Sequence, residues 1–409
     1  MLATILALTL YPTPSAAPIA ANTPLLCLVC GENGGTDVIL NLLLFAPLAA
    51  ALRLSGWSWR RTVVSCFLLS FTVELCQYLF VPGRDASLSD VLTNTGGGSV
   101  AAAVAPLIRS ALTPARRDAQ RLLWLGVALW VGLCAFGAWG FQPWVKAGRG
   151  LSEWPDLTKD AGAFEGTLSS VAVAGTVMPR GRLDRSEVAR IVDLMARNAL
   201  EVRLAGISAA PPPRREWIYR LRVGKVHLAV TQRGTTLGWE VPRRLGFLRL
   251  NHPRLHLPGG APARQGVPFT ISAGERGQHL WLETTSEGRA RRADLVLTPT
   301  MVWGLVIPFD YGFGPEARLL AMLWVAGLMA PLGFWGAHAE RPAAAIAILA
   351  AAIALGLGVI PWLSQTGPIP PREWLAAAAG VAAGWAARAP AAYLASRCGS
   401  PSASESFSS

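Results

Sequence analysis

Charged residues are scarce in this 409-residue sequence: 15% are Asp, Glu, Lys or Arg, against 52% hydrophobic residues and a mean hydropathy of +0.37. Few soluble proteins have such a composition. A helix needs roughly 20 apolar residues to cross a ~30 Å hydrocarbon core, and several segments of the chain reach that length. The sequence therefore predicts a multi-pass membrane protein.

Motifs of several catalytic classes are also missing. The sequence has no nucleotide-binding glycine loop, no phosphatase-type histidine pair and no nucleophile with an adjacent base. None of the six cysteines lies between residues 144 and 315, so that segment folds without disulfides. Cys27 and Cys30 form a CxxC motif that an oxidising compartment could close into a disulfide, whereas a zinc site would need a second pair. We expect no metal and no cofactor.

Seven apolar segments predict membrane-spanning helices. They are residues 38–55, 62–81, 91–111, 122–142, 319–336, 343–363 and 374–394. An eighth apolar stretch, from Leu2 to Leu10, is interpreted as a short span rather than a cleaved signal, because no Lys or Arg follows Met1. The predicted fold is an α-helical membrane bundle of seven to eight spans with an inserted all-β sandwich or jelly roll.

Short loops predict the orientation, since Lys and Arg accumulate on the cytoplasmic side. Two such loops carry Arg53, Arg60 and Arg61, and then Arg109, Arg116, Arg117 and Arg121. The predicted regions are a four-span membrane region at 1–120, a fifth span at 121–143, an extracytoplasmic β-rich domain at 144–315, three C-terminal spans at 316–395 and a Ser-rich cytoplasmic tail at 396–409. We expect a cell-membrane protein whose large domain lies outside the cytoplasm.

The segment 144–315 has the pattern of an all-β domain. Short runs rich in Val, Ile, Leu and Trp alternate there with Gly, Pro and Asn turns. We predict strands at 217–230, 235–241, 247–250, 268–271, 279–283 and 293–297, and a helix at 185–198, where apolar residues follow helical spacing.

Most of the positive charge falls in the same segment. Residues 145–315 contain 24 Lys and Arg against 15 Asp and Glu, a net charge of +9 out of +12 for the chain. Nucleic acid is not expected as a partner, because the compartment is wrong and no helix presents a recognition face. The charge would attract anionic envelope glycans, polymers or lipid headgroups, and it would equally serve general solubility.

A short repeat is the most specific feature of the first four spans. Asp37 to Asn41 reads DVILN and Asp90 to Asn94 reads DVLTN, and both enter the membrane from the outer side in the predicted topology. Residues four apart share a helix face, so each Asn lies one turn below its Asp. Parallel repeats of this kind often frame a site between them.

An acidic residue between the two repeats needs an explanation. Glu74 lies about a dozen residues into a predicted span, and Gln77 follows one turn later. An unpaired carboxylate there costs ~2.5 to 3.5 kcal/mol, so we expect a partner among Asn41, Asn94 and Arg84. Two interpretations stay open. One is a clamp between helices, worth about 0.6 to 2 kcal/mol per contact, and the other is a functional acid.

Together these residues resemble a known family. The residues Asp37, Asn41, Phe45, Pro47, Glu74, Gln77, Arg84, Asp90, Asn94 and Gly96, with their spacing, are similar to the VanZ-like membrane proteins over roughly residues 1 to 135. The resemblance implies a polar functional cluster of Asp37, Asn41, Glu74, Gln77, Arg84, Asp90 and Asn94, and an association with glycopeptide (teicoplanin) resistance. The segment 144–315 more faintly resembles a concanavalin A-like lectin or glucanase sandwich.

Function is expected to be the binding of an anionic envelope glycan, polymer or lipid headgroup at the outer face, with a non-enzymatic protein favoured. Membrane lipids are the other expected partners. Two alternatives are a membrane enzyme acting on a lipid-linked or headgroup substrate and a proton-coupled transporter that uses Glu74. A glycosidase built on Glu283 and Glu287, or a zinc site built on His252 and His256, is less favoured because sequence spacing shows neither.

Overall fold

A computed structural model of the chain describes residues 2–10, 34–81, 86–145, 148–157, 162–307 and 311–388. The chain divides into two compact units. The first comprises Met1–Leu129, Ala326–Ala352 and Leu375–Ser409, and the second comprises Trp130–Val325 and Ile353–Trp374. The described residues of the first unit are almost entirely helical, and the second unit contains all the described β-strands.

The long apolar segments of the described chain are helical. In chain order they are α1 (Leu2–Leu10), α2 (Gly34–Leu44), α3 (Ala46–Leu54), α4 (Trp59–Phe80), α5 (Leu88–Leu112), α6 (Arg116–Gly140), α7 (Arg185–Ala196), α8 (Ala317–His338), α9 (Pro342–Ala354), α10 (Ile360–Leu363) and α11 (Pro371–Ala386). A break at Phe45, where Pro47 follows in the first turn of α3, separates α2 from α3 within one apolar stretch. A π-helical turn at Leu355–Val359 joins α9 to α10.

Six helical segments among the described residues are long and apolar enough to cross a membrane. They are Gly34–Leu54, Trp59–Phe80, Leu88–Ile108, Arg116–Gly140, Ala317–His338 and Pro342–Leu363. These segments confirm the multi-pass α-helical fold, although the predicted count of seven to eight spans is higher than the six found. The other two predicted spans correspond to α11 and α1, which have 16 and 9 described residues, fewer than the roughly 20 that a crossing needs.

The second unit contains the predicted β-sandwich. Its strands are β1 (Gly150–Glu153), β2 (Thr167–Val173), β3 (Thr176–Val177), β4 (Gly181–Arg182), β5 (Glu201–Ile207), β6 (Glu216–Val223), β7 (Val226–Arg233), β8 (Thr236–Glu240), β9 (Arg254–Leu257), β10 (Pro268–Arg276), β11 (His279–Ser286) and β12 (Arg289–Val296). The first sheet has the antiparallel order β4-β1-β6-β7-β8-β9, and the second has the antiparallel order β12-β11-β10-β5-β2-β3.

Two predicted strands were wrong in detail. The run 217–230 is a hairpin of β6 and β7, because Gly224 turns the chain with a left-handed φ of +62°. Residues 247–250 form no strand. The first two of them belong to the 3-10 helix Arg244–Leu248, which ends where Arg249 adopts a left-handed φ of +52°. The predicted helix at 185–198 is confirmed as α7, whose first turn is fixed by a reciprocal capping box of Asp184 and Glu187.

The first sheet has one apolar and one polar face, because side chains alternate along each strand. Val230, Trp239 and Leu255 are aligned across β7, β8 and β9, and all three are buried in the sandwich core. The residues beside them in the sequence point to the opposite face. That face carries Arg220, Thr231, Arg233, Gly238, Glu240, Arg254 and His256, and it positions the second candidate site described below.

Candidate functional site

The two copies of the repeat meet in the first unit. The Nδ2 of Asn41 on α2 donates a hydrogen bond to Oδ1 of Asp90 on α5, at 2.7 Å. One turn farther along α5, Nδ2 of Asn94 donates to Oγ of Ser70 on α4 at 3.0 Å, and this hydroxyl donates in turn to the Asp90 carbonyl at 3.5 Å. A continuous set of polar contacts therefore joins three helices.

Glu74 is buried beside this cluster, with only 7% of its surface exposed. Its Oε2 accepts a hydrogen bond from the backbone N–H of Ser87 at 2.9 Å, immediately before α5 begins. The Ser87 hydroxyl accepts from the backbone N–H of Asp90 at 3.4 Å, as an N-cap residue does. The carboxylate thus lies at the N-terminus of α5, where unpaired N–H groups and the helix dipole favour negative charge.

The other predicted cluster residues lie apart from these contacts. Gln77 is buried on α4, and its Nε2 donates to the carbonyl of Thr9 on α1 at 2.8 Å. Asp37 is exposed in the first turn of α2, and no hydrogen bond links it to another described residue. Arg84 falls outside the described residues. The structure therefore brings together Asn41, Glu74, Asp90 and Asn94, and it places Gln77 at a separate helix contact.

Glycines on α5 allow the cluster to form. A Cβ added at Gly97 would lie 2.0 Å from the carbonyl oxygen of Leu42, and one added at Gly98 would lie 2.8 Å from Sγ of Cys66. Any larger residue would push α5 away from α2 and α4. Close helix approach through small residues is the usual packing mode inside membranes.

Comparison with known proteins identifies the family of the N-terminal region. Residues 2–109 match the profile of the VanZ/LLP1 family. The N-terminal region is VanZ-like. The matched range contains every residue of the predicted cluster, so the resemblance inferred from the motif is confirmed for this region. No curated protein and no solved structure matches the chain. We call residues 2–109 the VanZ-like region below.

A second candidate site lies on the polar face of the first sheet. It is a pocket of about 450 Å³, which we call the arginine pocket. Its lining residues are Pro212, Pro213, Arg215, Thr231, Arg233, Gly234, Thr236, Leu237, Gly238 and His256. Thr231, Gly238 and His256 are neighbours across β7, β8 and β9 and form its floor. Gly238 keeps that floor open, because a Cβ there would lie 2.5 Å from the Thr231 hydroxyl.

Arginine side chains line the arginine pocket and border it. Glu240 lies next to the floor, 7% exposed, and its Oε1 accepts hydrogen bonds from Arg254 and, at 3.3 Å, from Arg215. Burial alone would raise the pKa of Glu240, but the guanidinium groups of Arg254 and Arg215 hold it below its ordinary value. Glu240 is therefore ionised at neutral pH. The exposed side chain of Arg233 adds a further positive charge.

The structure also places residues of the two less favoured sites, the zinc site and the glycosidase site. The His252 ring meets His227 edge to face, with centroids 6.1 Å apart, whereas His256 lines the arginine pocket. Among the residues that the structure describes, no three His, Cys, Asp or Glu side chains are grouped as metal ligands. Glu283 forms an ion pair with Arg292 at 3.3 Å on inner strand β11.

Two polar sites were not singled out from the sequence. The arginine pocket joins residues from four separate segments, and only the alternation of His227, Thr231 and Arg233 along one strand could have indicated its polar face. Glu373, 1% exposed at the start of α11, accepts hydrogen bonds from the hydroxyls of Thr298 and Thr300. These contacts hold α11 against the segment that leads into the 3-10 helix Pro299–Val306.

Proposed function

We propose that the chain is a non-enzymatic protein of the cell envelope whose sandwich binds an anionic glycan or polymer on the extracytoplasmic side of the membrane. The arginine pocket carries this proposal. Its volume lies within the range of about 300 to 1,000 Å³ that is typical of ligand pockets. Arg215 and Arg233 contribute two guanidinium groups to its walls, and none of its described lining residues is acidic.

The lining of the pocket favours an acidic sugar unit over a neutral one. Planar guanidinium groups pair with carboxylate and phosphate through parallel hydrogen bonds. The described lining includes no Trp, Tyr or Phe that could lie flat against a neutral sugar ring. The net charge of +9 on residues 145–315 would also raise the local concentration of a polyanion.

The VanZ-like region has a supporting part in this proposal. The contacts of Asn41, Asp90 and Asn94 join helices to one another, and Glu74 binds a backbone amide at a helix end. These contacts favour a structural clamp over the chemistry of an enzyme or the proton relay of a transporter. Teicoplanin resistance is no part of the proposal, because only the family resemblance suggests it.

Binding can be measured with the full chain in lipid nanodiscs. The probes are polygalacturonate, a carboxylated polysaccharide, and dextran, a neutral one, each followed by biolayer interferometry. We expect polygalacturonate alone to bind, and the paired substitution Arg215→Ala and Arg233→Ala to weaken it by about tenfold or more, as the loss of charged hydrogen bonds predicts. The single substitution Arg233→Ala tests the same effect without disturbing the contacts of Glu240.

A matched control separates this pocket from general charge attraction. Arg276→Ala removes an equal, exposed charge from the second sheet and should leave the affinity nearly unchanged. An equal loss for Arg276→Ala would reduce the observation to nonspecific attraction, and the absence of binding by the unsubstituted chain would contradict the proposal.

The predicted side of the membrane needs its own experiment. A single cysteine at Thr235, in a chain without other cysteines, should react with a membrane-impermeant reagent in intact cells, whereas cysteines at Arg116 and His338 should not. Protection at Thr235 would place the pocket in the cytoplasm and end the envelope proposal, whatever its affinity for polyanions.

A further inference from the structure

A short turn of the sandwich exposes two large apolar side chains. Within the 3-10 helix Arg244–Leu248, Phe247 is 71% exposed and Leu248 is 40% exposed. In the described residues from 148 to 307, only Val177 and Ile207 are comparably exposed large hydrophobic residues. Adjacent exposed apolar side chains on a water-soluble domain indicate a surface that another apolar phase covers.

The turn packs against the C-terminal end of the membrane-spanning helix α6. Leu245 is fully buried against Gly140, the last residue of α6, where an added Cβ would lie 2.5 Å from the leucine Cγ. The backbone N–H of Arg244 donates to the carbonyl of Gln142 at 3.0 Å. Phe247 follows Leu245 by two residues, which is about 4 Å along a 3-10 helix.

The length of α6 places this contact at the edge of the hydrocarbon. The uncharged part of the helix after Arg121 runs from Leu122 to Gly140. At 1.5 Å per residue it spans roughly 28 Å, close to the ~30 Å of a bilayer core. Gly140 therefore lies near the boundary with the headgroups. Trp144, whose ring would lie about 3.0 Å from a Cβ at Gly246, is at the depth where tryptophans concentrate.

The turn is also held rigidly by the sandwich behind it. The Arg243 side chain is 1% exposed and forms an ion pair with Glu275 at 2.7 Å, and its Nη1 donates to Asn198 at 3.1 Å. The exposed side chains of Arg244 and Arg249 flank Phe247. Basic residues beside inserted apolar ones are the combination that binds anionic lipid surfaces.

We propose that Arg244–Leu248 is a membrane-docking turn, which inserts Phe247 and Leu248 among the headgroups of an anionic bilayer at the end of α6. The turn gives the sandwich a direct contact with the membrane in addition to its two covalent links, to α6 and to α8. This inference does not depend on the arginine pocket, because none of the pocket's lining residues belongs to the turn.

Depth-dependent quenching tests the proposal directly. The full chain, with its native cysteines replaced by alanine, is reconstituted in liposomes of phosphatidylcholine and phosphatidylglycerol and labelled with bimane at Phe247→Cys or Val177→Cys. These two sites are matched, since their side chains are 71% and 72% exposed. We expect lipids brominated near the headgroup to quench the label at residue 247 about threefold or more strongly than the label at residue 177. Equal quenching at both sites would overturn the proposal.

A second measurement keeps the proposal testable if the cysteine-free chain is unstable. In the native background, hydrogen exchange of residues 244–250 is compared between liposomes and detergent micelles, for the unsubstituted chain and for Phe247→Ser with Leu248→Ser. We expect liposomes to slow exchange in the turn several-fold, and the two substitutions to remove that difference while exchange of β8 stays the same. No slowing of the unsubstituted turn in liposomes would contradict docking.

Lipid charge provides the third measurement. Arg244→Gln should lower the quenching at residue 247 in liposomes that contain phosphatidylglycerol and leave it unchanged in phosphatidylcholine alone. Arg276→Gln, which changes an exposed arginine of the second sheet, should have no effect in either. If Arg244→Gln changed the quenching equally in liposomes with and without phosphatidylglycerol, the proposed attraction of the turn to anionic lipid would be refuted.

Discussion

The VanZ-like region and the sandwich bury polar groups in different ways. Among the described contacts of the VanZ-like region, amide and backbone N–H groups donate to carboxylates, as Asn41 does to Asp90 and Ser87 does to Glu74. In the sandwich, arginine donates to glutamate, as Arg243 does with Glu275 at side-chain exposures of 1% and 4%. The two regions also use glycine differently. Gly97 permits close contact between helices of the VanZ-like region, whereas several glycines of the sandwich adopt left-handed conformations in turns between strands.

The difference follows from the surroundings in which each region folds. Lipid tails are as apolar as leucine, so helices in a membrane associate through close contact and hydrogen bonds rather than through removal of apolar surface from water. The sandwich can bury apolar side chains such as Trp239 and Leu282 from water. The free energy gained in this way offsets the cost of desolvating an ion pair. Substitutions that remove one partner should therefore have unequal effects in the two regions.

The largest effect is expected from Glu275→Ala in the sandwich. It leaves the Arg243 guanidinium buried with no carboxylate, and breaking a buried ion pair in this way costs about 3 to 5 kcal/mol. We expect faster hydrogen exchange in β8 and β10 and a lower thermal midpoint of the full chain in detergent.

A paired substitution serves as the control for that result. Arg243→Met with Glu275→Leu replaces both charges by apolar groups of similar volume and should recover most of the lost stability. If the pair were as unstable as Glu275→Ala alone, packing at this position rather than the unpaired charge would be responsible.

A smaller effect is expected from Gly97→Ala in the VanZ-like region. The added methyl group would lie 2.0 Å from the Leu42 carbonyl oxygen, and overpacking of this kind costs about 1 to 3 kcal/mol. Gly132→Ala is the matched control on another span, because a Cβ there meets nothing within 4 Å. Thermal unfolding in detergent should show a loss for Gly97→Ala and no loss for Gly132→Ala. Equal behaviour would contradict the close approach of α5 and α2.

The sequence indicated that the two repeats frame a common site, but it did not predict how they pair. The DVxxN copies predicted equal depths for Asp37 and Asp90, with each Asn one turn below its Asp, whereas the structure joins Asn41 of the first copy directly to Asp90 of the second. One partner of Glu74 could not be predicted, because it is the backbone N–H of Ser87 and nearly every residue has such a group. The predicted partner Arg84 lies outside the described residues. A pattern of side chains in the sequence can predict contacts between side chains, but it does not predict hydrogen bonds to backbone groups.

The sandwich was predicted as a class and missed in its details for a related reason. Alternating apolar residues indicated strands, but the register that aligns Thr231, Gly238 and His256 depends on pairing between β7, β8 and β9. The apolar run around Phe247 also resembled a strand. It became a 3-10 turn because it connects β8 to β9 across the end of a membrane helix, which is a tertiary requirement.

A still smaller effect is expected from the hydrogen bond between Asn41 and Asp90. Hydrogen bonds between membrane helices contribute about 0.6 to 2 kcal/mol, since the separated helices find other partners. In a double-mutant cycle with Asn41→Leu and Asp90→Leu, we expect a coupling energy of about 1 kcal/mol in thermal unfolding. Thr72→Val, which removes an exposed hydroxyl bonded only within α4, is the control and should not couple to Asp90→Leu. A coupling energy near zero would show that contacts other than this hydrogen bond hold α2 and α5 together.

The smallest effect concerns the stability of the sandwich in acid. The pKa of Glu240 is lowered in the folded sandwich, because Arg254 and Arg215 outweigh the opposite effect of burial. A lowered pKa means that the ionised carboxylate stabilises the fold fully above its ordinary value of 4.5, and that this stabilisation is lost as the pH falls through the folded-state value.

Hydrogen exchange of β8 and β9 between pH 7 and pH 3, corrected for the intrinsic rate, would measure this loss. We expect Glu240→Gln to be less stable than the unsubstituted chain at pH 7 and to lose less of its stability on acidification. Glu287→Gln removes a carboxylate from an exposed hairpin turn and should keep the shape of the original pH curve. If Glu240→Gln kept that shape too, ionisation of Glu240 would not be the source of the stability that the sandwich loses in acid.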